Sequence, residues 1–157
     1  MDRDLIEQAS PESTGPGPTD PRPLLLLVAD NRTGTAAIQL MLREQGYGVL
    51  LLPAEADALA AFHQWNPDGL ILDVAHPYGA ALAACRKIKS DPSSWSVPAL
   101  VLCARVDPVT LEAAGRAGAE ELMSKPFSCN ALLDTVQRLV GWPVPPQRVG
   151  PRPGPSL

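Results

Sequence analysis

The chain has 157 residues, 45% of them hydrophobic, which suits one domain with a real core plus extensions. A net charge of −4 and a pI near 5.1 offer no basic face of the kind nucleic acid selects, and the apolar run at 24–28 is too short to cross a membrane. The three cysteines, Cys85, Cys103 and Cys129, are odd in number and lack zinc-type spacing, and the N-terminus is acidic and Pro-rich rather than a signal peptide, so a reduced, cytoplasmic compartment is expected.

Eleven of the 18 prolines fall in residues 1–23 and 141–157, and both ends lack apolar periodicity. They are expected to be extended or disordered tails around a folded unit at 24–140. Within that unit, "LLLLV" (24–28) has no polar alternation, as a strand covered on both faces should. "TGTAAIQLMLREQG" comes next as a helix, with Ile38, Met41 and Leu42 at helical spacing and Gly46 closing it. "GVLLL" (48–52) is a second strand, and "AEADALAAFHQW" a helix presenting Ala58, Leu59 and Phe62. "GLILD" (69–73) is strand three, followed by an Ala-rich helix, "AALAACRKIK", whose closing cations Arg86, Lys87 and Lys89 suit a solvated, dipole-matched end. "ALVLC" (99–103) is strand four. Asp107 and Pro108 then form an N-cap and first-turn pair for the next helix. "ELMS" (121–124) and "SCNALLDTVQRLV" complete five strand–helix units.

Five such units predict a parallel sheet with helices on both faces, since the crossovers are right-handed. Ligands in such sheets bind just past the carboxyl ends of the strands. The residues at those positions are Ala29-Asp30, Asp73, Cys103-Ala104 and Lys125-Pro126. Asp73 poses the sharpest question, because it ends an apolar strand on a charge, and a buried charge needs a partner. A shared polar cleft with Lys125 and a cation answers it; a loop acid facing water is the alternative. Asp30 is open to reading as an N-cap of the first helix, Lys125 as a surface ion-pair partner, and Cys103 as a small hydrophobe rather than a nucleophile. Trp65, Trp95 and Trp142 read as cover for the core or as tail contacts, and His76 as a loop residue.

The segments "LLLLVADN", "PDGLILDVAHP", "VPALVLCA" and "AGAEELMSKPF", in this order and spacing, resemble the receiver domain of two-component response regulators. The resemblance covers the whole core and implies an α/β, flavodoxin-like (βα)5 doubly wound sheet with strand order 2-1-3-4-5. It implies that Asp73 accepts a phosphoryl group from a histidine kinase or phosphotransfer protein, with Lys125 beside it. Asp30, Asp73 and the backbone carbonyl of Ala75 would hold Mg²⁺, and Cys103 and Ala104 would adjoin the phosphoryl group. Lys125-Pro126 would be cis, although most X-Pro bonds are trans. The expected role is signalling rather than enzymatic: a single-domain receiver acting on a protein partner through helix four, strand five and helix five, with neither nucleic acid nor membrane as partner. A receiver-like interaction module independent of phosphorylation is the second reading. A flavin-phosphate protein is a poorer fit, because Asp30 would repel the phosphate.

The chain departs from that family's pattern at several points. Ala29 stands where a second acid is usual, Cys103 where Thr or Ser is usual, and Leu122 where Tyr or Phe is usual. "HPYGA" also replaces the common loop after the acceptor. A thiol is a weak hydrogen-bond donor, so transfer chemistry is expected to survive in a weakened form.

Overall fold

The computed structural model describes residues 22–30, 34–54 and 56–141. Five strands, β1 (Leu24–Ala29), β2 (Gly48–Pro53), β3 (Gly69–Val74), β4 (Ala99–Cys103) and β5 (Glu121–Ser124), alternate with α1 (Thr35–Glu44), α2 (Ala58–Trp65), α3 (Ala80–Lys89), α4 (Pro108–Ala117) and α5 (Cys129–Val140). All strand pairs are parallel, in the order β2-β1-β3-β4-β5. The fold is therefore the doubly wound α/β sheet expected from the sequence. The tails assigned to 1–23 and 141–157 lie outside the described residues, apart from 22, 23 and 141.

Strand alternation sorts the core into two layers. Leu26, Val28, Leu70, Leu72 and Val101 point to the side covered by α2, α3 and α4. Leu25, Leu27, Ile71, Leu100 and Leu102 point to the side covered by α1 and α5. Every residue of β1, β3 and β4 is buried, which is why those segments read as unbroken apolar runs. Helix starts obey local chemistry. Asp57, Asp107 and Ser128 cap α2, α4 and α5 through side-chain acceptors. The Asp57 cap delays α2 to Ala58, later than the sequence pattern from Ala54 suggested.

Two surface expectations change. Trp65 does pack against the core, but Trp95 is 63% exposed, which leaves tail contact as its reading, with the tails outside the described residues. Lys89 is no solvated helix-end cation: its side chain is only 11% exposed, and Nζ donates to Val97 O (2.6 Å) and Glu120 Oε2 (2.8 Å). Glu120 Oε1 in turn accepts the Ala99 N–H at 2.8 Å, so this pair fastens the end of α3 to the start of β4 and the approach to β5.

These placements separate two ion pairs of equal length. Lys89→Ala strands an acceptor at Val97 and should lower unfolding free energy by ~1–2 kcal/mol. Arg116→Ala breaks the exposed Arg116–Glu112 pair and should cost no more than ~0.5 kcal/mol. Urea melts of the two variants check the contrast; equal losses would refute it.

Candidate functional site

The carboxyl ends of β1, β3, β4 and β5 form one rim. β1 is the point at which the strand order reverses, with β2 on one side and β3 on the other. Open α/β sheets leave a crevice at such a switch point. The register brings Ala29 beside Asp73, Val74 beside Cys103, and Cys103 beside Ser124. Main-chain bonds extend the ladder one step past the strands: Asp30 N–H donates to Asp73 O (2.9 Å) and Lys125 N–H to Cys103 O (2.8 Å). Asp30, Asp73 and Lys125, far apart in sequence, are thereby fixed relative to one another by backbone.

Asp73 lies on the same strand face as Ile71 and is only 2% exposed. β3 runs one residue beyond it, to Val74, so Asp73 belongs to the strand rather than to a loop. Its charge is met by Lys125, whose Nζ donates to Oδ1. The Lys125 side chain is 36% exposed, so its stem crosses from solvent to the buried carboxylate. Oδ2 of Asp73 is buried without a hydrogen-bond partner among the described residues. A buried carboxylate oxygen in that condition is costly. The Lys125–Pro126 bond is cis.

Asp30 is not the cap of α1. The N-cap position there is Gly34, with no side-chain hydrogen bond. Asp30 instead reaches over the loop after β3, where Oδ2 accepts the Ala75 N–H (3.0 Å) and Oδ1 the Ala81 N–H (2.8 Å). Cys103 is 3% exposed, and its thiol donates weakly to Met123 O at 3.8 Å, toward β5. Burial pushes the Cys103 thiol up from its usual range, opposed by the Arg105 main-chain hydrogen bond and the Lys125 charge, while Asp107 adds to the rise. It is a neutral thiol, not an activated nucleophile. Burial likewise pushes Cys85 up to about 12. Ala104 and Ala75 are exposed at the rim. Between them opens a cleft of about 190 Å³, bordered also by His76, Arg105 and Asp107. Arg105 was not singled out in the sequence; the signal available was its position two residues past the end of β4. Leu122 is half-buried and packs on the core.

A magnesium ion fits this donor set. Mg²⁺ takes hard oxygen ligands, keeps several waters and needs few protein groups. Asp73 would supply an oxygen that has no partner among the described residues, Asp30 a second carboxylate just past the adjoining strand, and the exposed Ala75 a carbonyl. Among the described residues no group of three His, Cys, Asp or Glu side chains gathers.

The response regulator receiver domain profile matches residues 25–137. The chain belongs to the response regulator receiver domain family. The receiver is 35% identical over 117 residues to the response regulator MprA of Mycobacterium leprae, covering 74% of this chain and 50% of that protein. It is 30% identical over 132 residues to the transcriptional regulatory protein CseB of Streptomyces avermitilis, covering 84% and 52%. The chain thus spans about half the length of the curated relatives it matches. A solved receiver domain of a sensor histidine kinase from Pseudomonas aeruginosa aligns with a TM-score of 0.64 and 28% identity, over 76% of this chain and 98% of that one. That structure holds a magnesium ion in its active-site cleft. Among the described residues of this receiver, no helix is long and apolar enough to cross a membrane.

The pairing of Asp73 with Lys125 makes a directional prediction. Lys125→Met leaves the buried carboxylate without its cation and should cost ~1–3 kcal/mol, the lower part of the range applying because Lys125 is partly solvated. Lys125→Met combined with Asp73→Leu should be more stable than Lys125→Met alone. Chemical denaturation of both variants reads this; a double variant no more stable than the single one would contradict it.

Proposed function

We propose that this receiver accepts a phosphoryl group on Asp73 from a histidine kinase or phosphotransfer protein. The observation that carries the reading is the buried Asp73 carboxylate, with one oxygen on Lys125 and the other unpartnered. A carboxylate oxygen attacks the phosphorus of a phosphohistidine in line. The O–P bond forms as the P–N bond breaks, the imidazole leaves, and an aspartyl phosphate remains. Bound Mg²⁺ neutralises phosphoryl charge and so lets one anion approach another. Asp30, Asp73 and the Ala75 carbonyl would hold that cation. Lys125, released from sole service to the carboxylate, supplies positive charge to the phosphoryl oxygens on a flexible stem.

The output surface is α4, β5 and α5, where Val109 and Leu111 are 46% and 56% exposed and β5 is the sheet edge. The partner there is a protein, and the receiver works as a cytoplasmic signalling module rather than an enzyme. A second reading, an interaction module indifferent to phosphorylation, draws on two residues. The Cys103 thiol is turned to Met123 O, and Leu122 has no polar tip and packs on the core. A ligand shifts a two-state equilibrium only by its differential interaction with the two states. A thiol contact in place of a charge-assisted hydroxyl bond, itself ~1.5–3 kcal/mol, leaves little of that difference.

Incubation with Mg²⁺ and a small phosphodonor, read by intact mass, should add one base-labile phosphoryl group, and Asp73→Asn should abolish it. Amide exchange over residues 104–127 should change little on phosphorylation and more in Cys103→Thr combined with Leu122→Tyr. Label persisting in Asp73→Asn removes Asp73 from the reaction. No label from any donor or kinase favours the interaction module.

A further inference from the structure

The loop "HPYGA" at 76–80 contains no Ser, Thr, Asp or Asn with which to cap α3. The N-cap position is Gly79, at φ −85 and ψ 179, and no side chain of its own neighbourhood caps the helix. The first turn of a helix leaves backbone N–H groups needing acceptors. The acceptor that meets Ala81, at the second helical position, is Asp30 Oδ1 at 2.8 Å. The other oxygen takes the Ala75 N–H, six residues earlier. One carboxylate from the end of β1 therefore holds both ends of the loop 75–81, with Tyr78, 83% exposed, between them. Space for it depends on Gly79: a Cβ there would lie 2.7 Å from Asp30 Oδ2 and 3.2 Å from its Cγ.

We propose that Asp30 is the N-cap of α3, supplied in trans, so that the carboxylate holding the cation also sets the start of α3 and the loop that presents Tyr78. The coupling to the cation rests on the reading of Asp30 as a metal ligand; the capping does not. An anionic acceptor at a helix N-terminus is doubly favoured, by the hydrogen bond and by the helix dipole. Occupancy of the metal site then reaches the Tyr78 loop through a single side chain. Gly79 is a positioning residue, since it touches no phosphoryl group and keeps the path of Asp30 open.

The two roles predict opposite signs in metal-free protein. If Asp30 only binds metal, Asp30→Ala relieves like-charge repulsion with Asp73 and raises the melting temperature. If Asp30 caps α3, Asp30→Ala lowers it, by about 5 °C, and the Ala81 amide exchanges about tenfold faster, the scale of a lost N-cap. Asp30→Asn keeps an oxygen for Ala81, so it should retain most of that protection while losing Mg²⁺ affinity. Gly79→Ala should weaken Mg²⁺ binding although residue 79 supplies no ligand. In the unmodified protein, Mg²⁺ should shift the Ala81 amide resonance with the midpoint of binding. Unchanged Ala81 exchange, or a raised melting temperature, in metal-free Asp30→Ala overturns the cap. Mg²⁺ binding that leaves Ala81 unmoved overturns the coupling. Ala81 deprotected in metal-free Asp30→Ala, with no Mg²⁺ binding to the unmodified protein, upholds the cap and removes the metal reading instead.

Discussion

A carboxylate that is 2% exposed sits one residue inside the carboxyl end of a strand with no other polar side chain, and one partly solvated lysine offsets its charge. Taking an ion out of water costs several kcal/mol, and its attraction to a partner recovers this only with good geometry. The geometry here comes from backbone. β3 and β5 are not neighbours; β4 lies between them, so the Asp73–Lys125 contact needs both β3–β4 and β4–β5 in register. The main-chain bond from Lys125 N–H to Cys103 O fixes the far side. A slip of one residue in either pairing would turn a strand's side chains to the opposite face and separate the pair. The pair thus ties the fold to the chemistry: the sheet that hides the carboxylate is the same sheet that delivers its cation.

The pair leaves one oxygen of Asp73 without a partner among the described residues, and on the proposed reading that oxygen is open to the cation. On the proposed reading, the groups around it that place charge are present, while those that would respond to a phosphoryl group differ from the pattern the sequence resembles. Asp30 and Lys125 remain. Ala29 adds no second acid, the Cys103 thiol faces the β5 backbone, and Leu122 is part of the core packing. On that reading, charge placement governs whether phosphoryl arrives, and a donor and an aromatic that change position govern how the fold responds to it. The two sets are different side chains, so one can weaken while the other stays intact.

Long-range order was largely legible in the sequence because fully buried strands print as apolar runs. The strand positions of Asp73 and Lys125 could be read from those runs. The Asp107 cap was legible in sequence because acceptor and helix lie within three residues, whereas the apolar pattern ran the preceding helix back across Asp57 to Ala54 and hid its cap. The trans cap of α3 is not visible, since Asp30 and Ala81 are joined only by the fold. Its sole trace is negative: a helix start with no acceptor of its own. Lys89 misled for a similar reason. A cation in a last turn suits the helix dipole, and nothing nearby announces Val97 O or Glu120 as partners. Trp95 is large and apolar yet exposed, which removes core cover as its reading. Asp73 lies one residue inside its strand rather than at its end, a boundary that the carboxylate itself obscured.

The central claim is that the buried Asp73 carboxylate, held by Lys125, is the phosphoryl acceptor of this receiver. A crystal structure with Mg²⁺ and beryllofluoride, an acyl phosphate mimic, tests it most directly. The account predicts beryllium bonded to an Asp73 oxygen, Lys125 within hydrogen-bond distance of a fluorine, and the cation on Asp30, Asp73 and the Ala75 carbonyl. Beryllofluoride bound at another side chain, or a cleft empty at saturating concentrations with the Asp73–Lys125 pair unbroken, would contradict it.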